Sequence, residues 1–124
     1  MQIRQIMDCH FTLCRTFETA AMAVQRMIDN QTSYAIVTDE KNTYQGVVTA
    51  HSLLQIKNFD VTVEQIMSSS EAIKEEDLIT SIRPSDFDMI PVINRLGNVV
   101  GILSMKSAFQ HLPELLTNLD TGRS

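Results

Sequence analysis

Apolar residues along this chain switch between two periods, and the switches mark out its elements. Phe17, Ala20, Ala21, Val24, Met27 and Ile28 fall at the spacings of one helical face. Thr16 stands where an N-cap is wanted, and polar Asp29-Asn30-Gln31 ends the helix. Phe11 to Cys14 reads as a short strand before it. Tyr34 to Thr38 reads as a buried strand, Asp39 to Thr43 as a turn and Gln45 to Thr49 as a return strand. Thr49 then caps a helix from Ala50 to Ile56. The second half follows the same plan. Ala72-Ile73 is its first strand, and Glu75 to Ile82 a helix with Leu78, Ile79 and Ile82 inward, stopped by Pro84. Met89 to Asn94 and Val99 to Ser104 are strands joined by the glycine-containing turn Arg95 to Asn98. Ser104 caps a helix from Met105 to Leu112, Pro113 interrupts it, and Glu114 to Leu119 adds a further turn.

This shared plan is also a repeat in letters. Ile3-Arg4-Gln5-Ile6-Met7 returns as Val63-Glu64-Gln65-Ile66-Met67. Tyr34-Ala35-Ile36-Val37 returns as Ile90-Pro91-Val92-Ile93, and Gly46-Val47-Val48-Thr49 as Gly101-Ile102-Leu103-Ser104. Three matches in one order indicate a folding unit used twice, over 1–60 and 61–124. Aligned this way, the second copy lacks four residues around its first helix and one in its hairpin. Each unit is marginal alone, so the two are expected to bury apolar faces against each other and leave a cleft between them.

Composition narrows the function. The chain has 124 residues, 44% of them hydrophobic, and a net charge of −5, which disfavours direct nucleic-acid binding. The longest clearly apolar stretch, Ala20 to Val24, is too short to cross a bilayer, so no membrane insertion is expected. With no signal-peptide pattern at the N-terminus, the expected compartment is cytoplasmic. Cys9 and Cys14 lack zinc-site spacing and read as reduced thiols, and Met22 and Met27 as core filler. No nucleophile-base-acid set, phosphate loop or metal cluster is present as a motif, so no enzyme activity and no required cofactor are expected.

The string apolar-Pro-Val-apolar, a turn, then Gly-apolar-apolar-Thr/Ser resembles the cystathionine-β-synthase-type (CBS) domain. It stands here as Met89-Ile90-Pro91-Val92-Ile93 with Gly101-Ile102-Leu103-Ser104, and again at Tyr34 to Val37 and Gly46 to Thr49. The Gln-Ile-Met segments resemble the lead-in of each CBS unit. The resemblance implies a tandem pair, or Bateman module, of α/β (α+β) class, with two β-α-β-β-α repeats about a pseudo-twofold axis. It further implies homodimers, and regulation of an attached or partner effector through an adenosine-containing ligand such as AMP, ADP, ATP or S-adenosylmethionine.

In the family the motif runs on as Thr/Ser-x-x-Asp, the cap favouring phosphate at a helix start and the Asp accepting ribose hydroxyls. Here Thr49 and Ser104 are the caps, but Ser52 and Ser107 occupy the Asp positions. A neutral bond nets about 0.5–1.5 kcal/mol against about 1.5–3 for one to a charged group, so each replacement weakens ribose binding several-fold. His51 and Lys106 share the second helical position, where each reads either as a phosphate contact or as solvated surface. Ser68, in Ser68-Ser69-Ser70, follows the second lead-in, on what the resemblance makes the adenine side. Its counterpart is Asp8-Cys9-His10, and by residue chemistry both are polar loops. Met89 and Pro91 complete the site in the second half, which has the better-matched proline motif. The two serines also motivate a second reading, a dimerisation or docking module that binds no nucleotide. A third makes the chain part of a larger enzyme, transporter or transcription regulator.

Overall fold

The computed structural model describes residues 2–79 and 89–104. It holds two three-stranded sheets, β1 (Leu13–Arg15), β2 (Tyr34–Thr38), β3 (Tyr44–Thr49) and β4 (Ile73–Lys74), β5 (Met89–Ile93), β6 (Val99–Ser104), each in sequence order. In both, the first strand runs parallel to the second and the second antiparallel to the third. The parallel step needs a crossover, which α1 (Ala20–Asn30) makes in the first half. Short helices α2 (Ala50–Leu54) and α3 (Val63–Ile66) follow β3 and open the second half. This is the mixed α+β class the sequence implies. No described helix is long and apolar enough to cross a membrane.

Strand register corrects the alignment of the repeat. Tyr34 faces Thr49 and Met89 faces Ser104, so Tyr34 is equivalent to Met89, not to Ile90. The hairpins are therefore equal in length, and both shift register at one point, after Val37 and after Val92. The single missing residue lies earlier. Cys14 pairs with Val37 as Ile73 pairs with Val92, whereas the lead-ins are offset by one position more, so the deletion falls in the loop before the first strand. Pro91 is thus the counterpart of Ile36. Ile36 donates its N–H to the Thr12 carbonyl at 2.8 Å, a bond proline cannot make, and β4 is correspondingly shorter than β1.

The first helix also starts later than expected. Glu18 folds back, its carboxylate accepting the Arg15 N–H at 2.7 Å, so Thr16 and Phe17 lie in a turn. Thr19 is the cap, its Oγ1 accepting the Met22 N–H at 3.3 Å. The buried face is accordingly Ala20, Ala23 and Met27, while Ile28 is 63% exposed and Phe17, in the turn, 61% exposed. Gln31 closes the helix in the left-handed region at φ 57°. The same turn explains the second half. Asp77 donates to the Lys74 carbonyl and accepts the Lys74 N–H, and Leu78 bridges Gln2 from an exposed position. The expected helix therefore does not begin at Glu75, and its part beyond Ile79 lies outside the described residues, as do the expected helix over Met105 to Leu112 and the further turn over Glu114 to Leu119.

The lead-ins cross over. Residues 2–8 dock on the second half, where Ile3 and Ile6 join Ile90, Val92 and Leu103 in one core. Residues 62–68 dock on the first, where Val63 joins Cys14, Ala23, Val37 and Val48. Asp8 bridges Ile102 as Ser68 bridges Val47. Between the sheets Ile36, Val99 and Ile102 form a third core with Leu13, Tyr44 and Ile93. Neither half thus completes its own core, as the size argument requires.

Candidate functional site

A cleft of about 1000 Å³ opens where the two sheets meet. That is ample for a nucleoside-sized ligand. Both halves line it. Asp8 and His10 come from the first lead-in, Thr32 and Tyr34 from the end of α1 and the start of β2, and Thr49 and His51 from the β3–α2 corner. Ser68, Ser70, Met89, Ile102 and Ser104 close the other side.

The walls are held by main chain. Asp8 N–H donates to the Ile102 carbonyl at 2.7 Å and Ile102 N–H returns the bond at 2.9 Å. Ser68 and Val47 exchange the same two bonds, both at 2.9 Å. Beyond Ser68, the Tyr44 hydroxyl donates to the Ser70 carbonyl at 2.7 Å and fixes that loop. Thr32 is tied to Thr12 at 2.6 Å between hydroxyls. Burial pushes the Tyr34 phenol up to about 12, with the Asp8 charge adding to the effect, so Tyr34 is a neutral donor at neutral pH.

Thr49 is the cap of α2, its Oγ1 accepting the Ser52 N–H at 3.2 Å. The Ser52 hydroxyl lies 3.1 Å from the same oxygen. α2 has only five residues, so its dipole is far smaller than that of a full-length helix. His51 is exposed at the rim, its Nε2 3.0 Å from the Gln55 side-chain nitrogen.

Residues 3–58 match the CBS domain family. Over its length the chain follows a CBS domain pair/ACT domain protein from Thermotoga maritima, with a TM-score of 0.80 and 25% identity over 94% of this chain and 99% of that one. Residues 3–58 are a CBS domain, and the chain as a whole has the fold of a CBS domain pair. Two further solved structures share its fold at lower identity. CBSX2 in complex with AMP has a TM-score of 0.81 at 16% identity, covering 92% of this pair and 97% of that chain. The cytosolic domain of the Mg²⁺ channel MgtE in complex with ATP has a TM-score of 0.73 at 19%, covering 85% and 46%. No curated protein sequence matches the pair significantly.

Of the residues singled out from sequence, the CBS pair brings Thr49, His51, Ser68, Met89 and Ser104 to one cleft. Ser52 is not on that wall, because its N–H and hydroxyl both engage the cap. Pro91 is fully buried, with inter-sheet residues Met89 and Ile93 two positions to either side, and lines no part of the cleft. Lys106 and Ser107 lie outside the described residues. Sequence reasoning missed Thr32 and Tyr34 as cleft residues, and by residue chemistry it read the segments that hold Asp8 and Ser70 as polar loops. Asp8 had a signal, since it is the repeat counterpart of Ser68.

Proposed function

We propose that this CBS pair is a non-catalytic regulatory module that binds an adenosine-containing ligand in the inter-sheet cleft and passes a conformational bias to an attached or partner protein. The cleft carries the reading. It is nucleoside-sized, shared by both halves and walled by both crossed lead-ins. A ligand touching Thr49 and Ser104 together spans the two halves, so occupancy favours one arrangement of them. The AMP- and ATP-bound neighbours supply the ligand class. Binding to the native state alone stabilises it by about 2.7 kcal/mol at a hundredfold excess over Kd. Thermal melts with millimolar AMP, ADP, ATP and S-adenosylmethionine are expected to rise by several degrees for at least one of them. Unchanged melts with all four refute the reading.

One observation favours an additional role in self-association. α1 and α2 frame an apolar groove of about 420 Å³, lined by Val24, Met27, Ile28, Leu53, Leu54 and Phe59. Leu54 at its edge is 85% exposed. On this reading the groove is where two copies meet, as a homodimer. Light scattering is expected to give twice the chain mass, and Leu54→Glu the single mass. A monomer at every concentration tested rules out the dimer.

A further inference from the structure

The two halves of the cleft have matching backbones but differ by a full charge at one matched position. Asp8 and Ser68 occupy equivalent places, each bridging the return strand of the opposite half. Ser68 turns its hydroxyl onto the Val47 carbonyl at 3.3 Å. Asp8 uses one oxygen, Oδ1, to accept the His10 N–H at 2.9 Å, which fixes the side chain. Its other oxygen has no protein donor among the described residues. The carboxylate is half-buried, and its charge reaches the Tyr34 phenol across the wall. Among the described residues lining the cleft, Asp8 is the single acid and there is no lysine or arginine.

We propose that Asp8 makes this cleft select adenosyl ligands by charge, favouring one that carries a cation near the ribose, of the S-adenosyl sulfonium kind, over one that carries phosphates. The inference rests on the adenosyl reading above and names the ligand class of that same site. A carboxylate fixed in a partly enclosed cleft attracts a sulfonium and repels a phosphate, and partial exclusion of water strengthens both effects over their size in bulk solvent. Tyr34, Thr49 and Ser104, which also line the cleft, are uncharged and do not discriminate between the two ligands by charge.

Calorimetric titration of S-adenosylmethionine, adenosine and ATP at fixed ionic strength tests it. The wild-type chain is expected to bind them in that order of affinity. Asp8→Asn keeps the shape and the acceptor for the His10 N–H. It is expected to weaken S-adenosylmethionine and strengthen ATP relative to adenosine, by about three- to tenfold each. Asp8→Ser, the residue of the counterpart position, gives the same shift if the asparagine variant fails to fold. Glu40→Gln removes an exposed charge in the β2–β3 turn, outside the cleft, and is expected to leave the ratio unchanged. Three results overturn the proposal alone: tighter ATP than S-adenosylmethionine in the wild type, a ratio unmoved in both Asp8 variants, or an equal shift with Glu40→Gln. No binding of any adenosyl ligand overturns the adenosyl reading itself and this proposal with it.

Discussion

Gly46→Ala is expected to destabilise the fold by about 1–3 kcal/mol, a large effect for a single methyl group. A Cβ there would lie 2.6 Å from the Ser68 carbonyl oxygen and 3.1 Å from Met67 Sδ. The methionine can turn aside. The carbonyl cannot retreat freely, because it accepts the Val47 N–H at 2.9 Å and holds the second lead-in against β3. The gain from a stiffer unfolded chain, about 0.4–1 kcal/mol, offsets only part of this. Gly101→Ala meets the same arrangement in mirror, with the Asp8 carbonyl oxygen and Met7 Sδ each at 2.9 Å. The slightly longer approach to the carbonyl predicts a somewhat smaller loss. Urea unfolding at 25 °C measures both, and an unchanged or higher midpoint for Gly46→Ala would show that the lead-in is not clamped there.

Arg26→Met is expected to be worse, at about 2–3 kcal/mol near neutral pH. Glu18 is 7% exposed, and Arg26 binds both its carboxylate oxygens while reaching the Leu13 carbonyl at 3.0 Å. The pair fastens α1 to the turn after β1. Burial pushes the Glu18 carboxyl up, but the Arg26 bonds and charge and the Arg15 N–H outweigh it and hold the group below its usual 4.5. Its contribution is therefore complete above pH 4.5 and lost as pH falls through the lower folded value. Without Arg26 only Arg15 still opposes the burial effect, and the carboxyl pKa rises in the folded state. Protonation then relieves the variant, so its deficit is expected to be largest at pH 7 and to shrink at pH 4. Arg26 is 40% exposed, which places the estimate at the low end for a buried pair. Removing the acid instead, as Glu18→Gln, leaves an arginine that can turn to water, with a loss of about 1–2 kcal/mol. Equal deficits at both pH values for Arg26→Met would mean that Glu18 does not carry a buried charge.

These two clusters also separate what was legible in the chain from what was not. β2 over Tyr34–Thr38, β6 over Val99–Ser104 and the Thr49 cap were readable because each rests on neighbours in sequence: a short apolar run, a turn, a hydroxyl before a helix. The start of α1 was not. Thr16 and Thr19 are both capping types, and the choice was made by Glu18 bending back to Arg15 and pairing with Arg26. The repeat was visible as letters, but its register was not, because Ala35 and Ile36 are both apolar strand residues and the letters alone let either one align with Pro91. Hydrogen-bond pairing fixed it.

The candidate site divides the same way. Thr49 and Ser104 could be named from their own motif. Asp8 was marked only as the repeat counterpart of Ser68, with nothing local to say which strand it would meet, and it enters the cleft because the lead-in crosses to Ile102. By itself, the sequence determined a duplicated α+β unit, its strands and the glycines at 46 and 101, since local pattern and repetition suffice for these. Only the tertiary structure decided that each half borrows the other's lead-in, that those glycines are contact points and that Asp8 faces a ligand-sized cleft. Such contacts join residues far apart in the chain, as Asp8 meets Ile102 and Val47 meets Ser68, and no local preference encodes which distant backbone a residue will touch.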